Sequence, residues 1–234
     1  MSTKKIINAI LAILVFASSM GSYERPATFL IWAGALIVLT LVINWVVLRR
    51  YAGKGGLRRL ILPVLLLVGL FGINLAISSG RMRWILTAGT AIVFYLYQIY
   101  FPEELPRNGE ETAVLLTAAL LFGFIWSLNF YFAWSWYYLL GLTLVLFFPL
   151  FTYAAPAGGG LFGTLIVLEM QWTLLYWPTH LITTTAVNFA GFYLIYVLSR
   201  LEAQRKLSAG QLYLQTGMTT AAVFLILLSS SWRQ

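Results

Sequence analysis

Glu169 is the residue of this sequence whose type and position could do chemistry inside a membrane. It lies at the centre of the apolar run 161–177, eight residues from either end, whereas the other acidic residues lie in or next to polar segments. A charge at the centre of a bilayer costs about 2.5–3.5 kcal/mol on insertion scales, so a carboxylate there is a functional hypothesis by default. Because no Lys or Arg lies in the middle of any apolar run, we expect a protonated Glu169 that is hydrogen-bonded to a neutral group on a neighbouring helix.

The neutral groups available for this hydrogen bond are amides and hydroxyls within the apolar runs. They are Gln171, Asn44, Asn74, Gln98, Asn129, Asn188 and Thr183–Thr185. Two interpretations of Glu169 stay open at this point. In the first it is a polar clamp between helices, a contact worth about 0.6 kcal/mol. In the second it binds a cation or takes up and releases a proton.

His180, the only histidine, lies eleven residues after Glu169. On a continuous helix the two residues would share a face about 16 Å apart along the axis, but Pro178 is expected to end the helix first. The simpler interpretation of His180 is a contact with lipid headgroups, and the alternative is that Glu169 and His180 mark the two ends of a proton path. The predicted intramembrane polar site consists of Glu169, Gln171, His180 and Asn188.

Nine apolar runs must position these groups. A run of about 20 apolar residues is long enough to cross the hydrocarbon core of a bilayer as a helix. The runs are 6–20, 27–48, 60–78, 84–101, 112–133, 137–153, 161–177, 181–199 and 212–230. They predict an all-α, polytopic transmembrane helix bundle that forms a single integral membrane domain over residues 1–234, with irregular backbone only in the loops. The short segment Trp134-Ser135-Trp136 predicts a close hairpin between the fifth and sixth spans.

Composition and charge agree with this class, since 61% of the residues are apolar and only 9% are charged, against about 25% charged in soluble domains. With the N-terminus inside, eleven Lys and Arg residues fall on the inner side and four on the outer side, which favours an inside N-terminus and an outside C-terminus.

The first apolar run has an alternative interpretation, since Lys4-Lys5, a short apolar run and Ala17-Ser18-Ser19 resemble a secretory signal peptide. The expected partners are membrane lipids and proteins of a membrane complex, and no nucleic acid.

The sequence disfavours most membrane enzymes. It contains no Asp, which argues against the metal–diphosphate sites of prenyltransferases and the Asp motif of alcohol phosphotransferases. A single His is too few for a bis-His haem or a di-iron desaturase, and the absence of Cys excludes a thiolate nucleophile or a Cys metal site. We therefore expect no cofactor and no metal. The remaining enzymatic hypothesis is a lipid-linked transferase that uses Glu24, in the first external loop.

One pattern runs through the C-terminal third. A Glu and a Trp in one span are followed by a Pro, by tyrosines in the next span and by the basic loop 200–206; the residues are Glu169, Trp172, Pro178, Tyr193 and Tyr196. In this pattern the chain resembles a family of multi-spanning bacterial membrane proteins, a domain of unknown function numbered 5656. The resemblance implies a polytopic protein of a bacterial inner membrane and carries no activity with it.

Two main functions follow as hypotheses. The first is a non-enzymatic structural or assembly component of the membrane, which needs no internal cavity. The second is a small proton- or cation-coupled transporter centred on Glu169, because carriers often bind their substrates at the midplane beside interrupted helices. The segment 154–160 and Pro178 interrupt the chain on either side of Glu169. The transporter hypothesis requires a hydrated cavity that reaches this residue.

Overall fold

The computed structural model describes residues 3–20, 26–51, 56–77, 80–100, 107–154, 159–177 and 179–230. Over these residues the protein is all-α, as the sequence predicts, and forms nine helices. They are α1 (Thr3–Met20), α2 (Pro26–Tyr51), α3 (Gly56–Ala76), α4 (Gly80–Tyr100), α5 (Arg107–Phe132), α6 (Trp136–Ala154), α7 (Gly159–Leu175), α8 (Leu181–Ala203) and α9 (Ala209–Ser229). Each predicted apolar run overlaps one of these helices.

Several helices extend beyond their apolar runs, because a charged residue ends an apolar run but does not end a helix. Arg and Lys are good helix formers, so α2 continues through Arg49 and Arg50 and α4 begins before Arg83. Arg83 lies just before the predicted apolar run 84–101, and the structure includes it, buried, in the first turn of α4. Its Nη2 donates a hydrogen bond to the Ile77 carbonyl, where a cation is favoured by the C-terminal end of the α3 dipole.

Five helical segments in the described ranges are long and apolar enough to cross a membrane. They are Phe29–Val47, Gly109–Phe132, Trp136–Ala154, Leu181–Ala203 and Ala209–Ser229. Three further apolar helices are shorter: Ile6–Met20, Leu60–Asn74 and Gly160–Leu175. Helix α4 belongs to neither set, since Arg81, Arg83 and Gln98 lower its hydropathy. Nine spans and an inside N-terminus therefore remain predictions.

The chain divides into two compact units, residues 1–124 and residues 125–234. In the first unit α1 packs on α4 and α2, and α2 packs on α3. Its apolar core includes Leu11, Val15, Phe29, Leu66, Leu67, Leu70, Phe71, Phe94 and Leu120. Hydrogen bonds between described residues also join helices within this unit. Asn8 Nδ2 donates to the Gln98 carbonyl at 2.7 Å, and Thr87 Oγ1 donates to Asn74 Oδ1 at 3.3 Å. Buried amides of this unit thus connect its own helices.

Helices α3 and α5 approach each other closely at Gly69, within the first unit. A Cβ atom at this position would lie 2.9 Å from Leu120 Cβ and 3.1 Å from the Leu121 backbone nitrogen. Small residues at helix interfaces of membrane proteins allow this kind of backbone approach. The absence of a side chain at Gly69 therefore sets the distance between the two helices.

In the second unit, α6 and α7 pack against each other along their length, and α8 packs on α7. Gly163 of α7 faces the ring of Phe151, and a Cβ atom on Gly163 would lie 2.8 Å from that ring. Phe192 of α8 contacts two rings of α6, with centroid distances of 5.8 Å to Phe147 and 4.9 Å to Phe151. These three buried phenylalanines form the apolar centre of the unit.

A tight turn ends α8. Arg205 has a left-handed φ of 54°, its backbone N–H donates to the Glu202 carbonyl at 2.8 Å, and the Lys206 N–H donates to the Leu201 carbonyl at 2.9 Å. This pair of bonds is the Schellman motif, in which glycine usually occupies the left-handed position. The turn satisfies two carbonyls that the end of α8 would otherwise leave without a partner.

Helix α9 begins after this turn, and the Ser208 Oγ accepts a hydrogen bond from the Gln211 backbone N–H at 3.2 Å as its N-cap. It packs on α8, but Thr219 is the only residue of α9 that is buried. Large apolar side chains such as Tyr213 and Phe224 are exposed. Helix α9 is therefore a spanning-length helix with little tertiary packing of its own.

Candidate functional site

One face of α7 is exposed along the whole helix. The side chains on it are spaced three or four residues apart, which places them on one side of a helix. They are Phe162, Leu165, Glu169 and Trp172, and the exposed Tyr176 follows directly after the helix ends. Glu169 is the only charged residue of α7, and its carboxylate makes no hydrogen bond or ion pair with any residue in the described ranges. The predicted hydrogen bond to a neighbouring helix is therefore not formed there, because Glu169 points away from its own bundle.

Gln171 lies on the opposite side of α7, since two residues correspond to roughly 200° around a helix. It is fully buried against α6, where Thr143 Oγ1 contacts both Gln171 Oε1 and, at 2.8 Å, the Leu139 carbonyl. A threonine hydroxyl carries one proton, so it cannot donate to both oxygens. With the amide turned by 180°, Gln171 Nε2 donates to Thr143 Oγ1 and Thr143 donates to Leu139. Gln171 is then a clamp between α6 and α7.

This clamp gives a prediction for stability. The substitution Thr143→Val leaves the buried Gln171 amide without its partner, and we expect a loss of about 1–3 kcal/mol. Replacing both partners, in Thr143→Val/Gln171→Leu, should recover most of that loss, because no buried polar group is then left unpaired. Thermal unfolding of the wild type, Thr143→Val, Gln171→Leu and the double variant in detergent measures the coupling between the two side chains. Thr173→Val, at an exposed site of α7, serves as the control, and additive effects of the two substitutions would contradict the clamp.

Asn188 is buried in α8, with 1% of its surface exposed, and neither Nδ2 nor Oδ1 has a hydrogen-bond partner among the described residues. Thr185 Oγ1, three residues earlier, has none there either. Buried polar groups without partners lower the stability of the folded state. Because neither polar atom of its side chain is paired, Asn188 is not hydrogen-bonded to Glu169.

His180 precedes α8 as its N-cap residue, and its exposed side chain makes no capping hydrogen bond. Its carbonyl accepts a hydrogen bond from the Thr184 backbone N–H at 3.0 Å. Helix α7 has already ended at Leu175, before His180 as predicted, so no continuous helix joins Glu169 to His180. Pro178 lies outside the described residues. No hydrogen bond connects any two of the four predicted site residues in the described ranges.

A polar cavity of 240 Å³ lies within the second unit, where α5 and α7 end and α8 begins. Its walls include Trp126, Asn129, Phe130, Trp177, Thr179 and Thr184. From the sequence, Asn129 was expected only as a possible partner of Glu169, and Trp126 was not expected at a site. The two residues are three apart on α5, which places them on one face of the helix. This spacing is the feature of the sequence that could have indicated a shared site. Glu169 is not among the residues that line this cavity.

Glu24, the carboxylate of the transferase hypothesis, lies outside the described residues.

Comparison of the chain with protein-family models, with curated proteins and with solved structures gives no match. The function of this protein must therefore be inferred from its own residues.

Proposed function

We propose that this protein is a non-enzymatic subunit of a membrane complex, and that the exposed face of α7 binds a transmembrane helix of another protein through Glu169. The observation that carries this proposal is a carboxylate at the middle of an exposed, otherwise apolar helix face, with no partner in the described part of its own chain. We further propose a cell membrane, in a bacterium the inner membrane, as its location.

Energetics support the need for a partner. Glu169 lies ten residues after the start of α7 and six before its end, which is roughly 15 Å and 9 Å along the axis. Facing lipid at that depth, an ionised carboxylate costs about 2.5–3.5 kcal/mol. A hydrogen bond from a charged or amide group on a partner helix offsets this cost, and Phe162, Leu165 and Trp172 supply apolar contacts on either side.

The chemistry of the partner follows from the carboxylate. The partner must present Lys, Arg or a side-chain amide near the middle of an apolar span, because only a donor can satisfy the carboxylate oxygens. This chain has no Lys or Arg in the middle of its own apolar runs, and its mid-span amides, such as Gln171 and Asn188, are buried. A second copy therefore offers Glu169 neither a cation nor an exposed amide. A different protein is therefore the partner that fits.

Photocrosslinking tests this contact. A benzoylphenylalanine introduced at Phe162 or Trp172 is expected to capture one and the same membrane protein in cells, since both positions lie on the exposed face of α7. The matched control is Phe224, which is 60% exposed on α9 and should not capture that protein. Equal capture from α7 and α9, capture of lipid alone, or capture of a second copy of this chain would each overturn the proposal.

The transporter hypothesis is not the function that we propose. It requires a hydrated cavity with polar groups of several helices converging on Glu169. Gln171 and Asn188, the two buried residues of the predicted polar site, are instead turned into the bundle, while Glu169 is turned out of it.

A further inference from the structure

The cavity at the end of α5 and α7 contains buried hydrogen-bonding groups that have no partner among the described residues. Trp126 and Thr179 line the cavity and are each 1% exposed, and neither the indole Nε1–H nor the threonine hydroxyl makes a hydrogen bond with any described residue. Asn129, in the same wall, is half-buried and its amide is also free of hydrogen bonds in the described ranges. Unpaired buried groups of this kind destabilise the folded state. A ligand that pairs with them would offset part of that destabilisation.

Backbone hydrogen bonds hold the wall opposite Trp126 in place. The Trp177 N–H donates to the Leu174 carbonyl at 3.1 Å, and the Thr179 N–H donates to the Trp177 carbonyl at 2.8 Å. Thr184 closes the start of α8 by donating to the Leu181 carbonyl at 3.0 Å. The cavity is therefore framed by ordered turns, and preformed cavities with a few placed polar groups are the usual form of small-ligand sites.

Exposed aromatic residues surround this end of the second unit. Trp134, Trp136, Tyr137 and Tyr138 follow α5, and Tyr176 and Trp177 follow α7, all with more than a third of their surface exposed. Trp and Tyr are enriched at the level of lipid headgroups, where one end of the side chain is apolar and the other is hydrated. This position puts the cavity within reach of a lipid headgroup.

The walls also indicate which headgroup fits. None of the described lining residues is charged, so neither a phosphate nor an ammonium group finds a counter-charge there. An indole N–H can only donate, whereas hydroxyls and amides both donate and accept. The best complement is an uncharged group with several oxygens that accept and donate. The rings of Phe130 and Trp177 can cover its apolar C–H surface.

We propose that this cavity binds the uncharged, hydroxyl-rich headgroup of a membrane glycolipid. The indole N–H of Trp126, the Asn129 amide and the Thr179 hydroxyl would bind its oxygens. The proposal rests on the membrane location given above but not on the binding of a partner helix at Glu169.

Thermal unfolding tests the proposal on the full chain, purified in a zwitterionic detergent without a sugar headgroup. Added glucosyl diacylglycerol should raise the Tm by several degrees, because a ligand that binds only the folded state stabilises it by mass action. Phosphatidylcholine and phosphatidylglycerol with the same acyl chains should not raise it, and free glucose should have less than a tenth of the effect. An equal rise with the phospholipids, an equal rise with free glucose, or no rise with the glycolipid would overturn the proposal.

Variants place the effect in the cavity. Asn129→Leu and the isosteric Thr179→Val should reduce the glycolipid-dependent rise by more than half, whereas Trp172→Phe and Thr173→Val, outside the cavity, should preserve it. If Asn129→Leu does not fold, Thr179→Val alone decides, because it keeps the shape of the side chain. Glu169→Leu should leave the rise unchanged. Loss of glycolipid binding is thereby distinguished from loss of partner binding.

Discussion

Glu169→Leu is expected to abolish or strongly weaken capture of the partner helix without destabilising this protein. Loss of a hydrogen bond to a charged group costs about 1.5–3 kcal/mol, which corresponds to a roughly tenfold to 150-fold loss of affinity. The isolated chain should unfold at the same or a higher temperature, because the substitution removes a carboxylate from an exposed apolar face. Affinity for the partner and Tm of the isolated chain thus change in different directions.

The measurement is co-purification of the crosslinked partner, quantified for wild type, Glu169→Leu, Glu169→Gln and Glu202→Gln. Glu169→Gln retains a hydrogen-bonding side chain and should fall between wild type and Glu169→Leu. Glu202, exposed near the end of α8, is the matched control for removal of one carboxylate and should bind as the wild type does. Unchanged capture by Glu169→Leu would show that the carboxylate does not recognise the partner.

Gly69→Val is expected to cause a large loss of stability in the first unit. Its side chain would meet the Leu120 Cβ and the Leu121 backbone at 2.9 Å and 3.1 Å, and neither neighbour can move without displacing α5. Overpacking of this kind costs about 1–3 kcal/mol, and more where backbone rather than a flexible side chain must shift. Thermal unfolding should show a Tm lower by several degrees.

Gly89 supplies the control, since a Cβ at this position in α4 meets no atom within 4 Å. Gly89→Ala should be neutral or stabilising by up to about 1 kcal/mol, because Ala has the higher helix propensity. Gly69→Ala should already lower the Tm, by less than Gly69→Val does. Equal behaviour of Gly69→Ala and Gly89→Ala would contradict the close approach of α3 and α5.

The helical fold could be predicted from the sequence because it depends on apolar runs of spanning length, which are visible without knowledge of any contact. Each run coincides with a helix, and the turn at residues 133–135 is as short as Trp134-Ser135-Trp136 indicates. The exact ends could not be predicted, since Arg49, Arg50 and Arg83 stop an apolar run but are accommodated within a helix.

The orientation of individual side chains could not be predicted from the sequence, for a physical reason. In a water-soluble helix the polar face identifies the buried one, but helices such as α7 are apolar all round, so periodicity does not tell the inside from the outside. Glu169 was therefore expected inside the bundle, while the structure turns Gln171 inward instead. The cavity at Trp126 forms where the three helices α5, α7 and α8 converge. A local sequence pattern does not show which helices meet, so the cavity could not be predicted.

The sparse packing of α9 has a consequence for biosynthesis. Helices of a membrane protein leave the ribosome in order, and domains fold as their segments become available. Because α9 contributes one buried residue, α6, α7 and α8 can reach their final packing before α9 enters the membrane. The Arg205 turn and the Ser208 cap then hold this late helix beside α8.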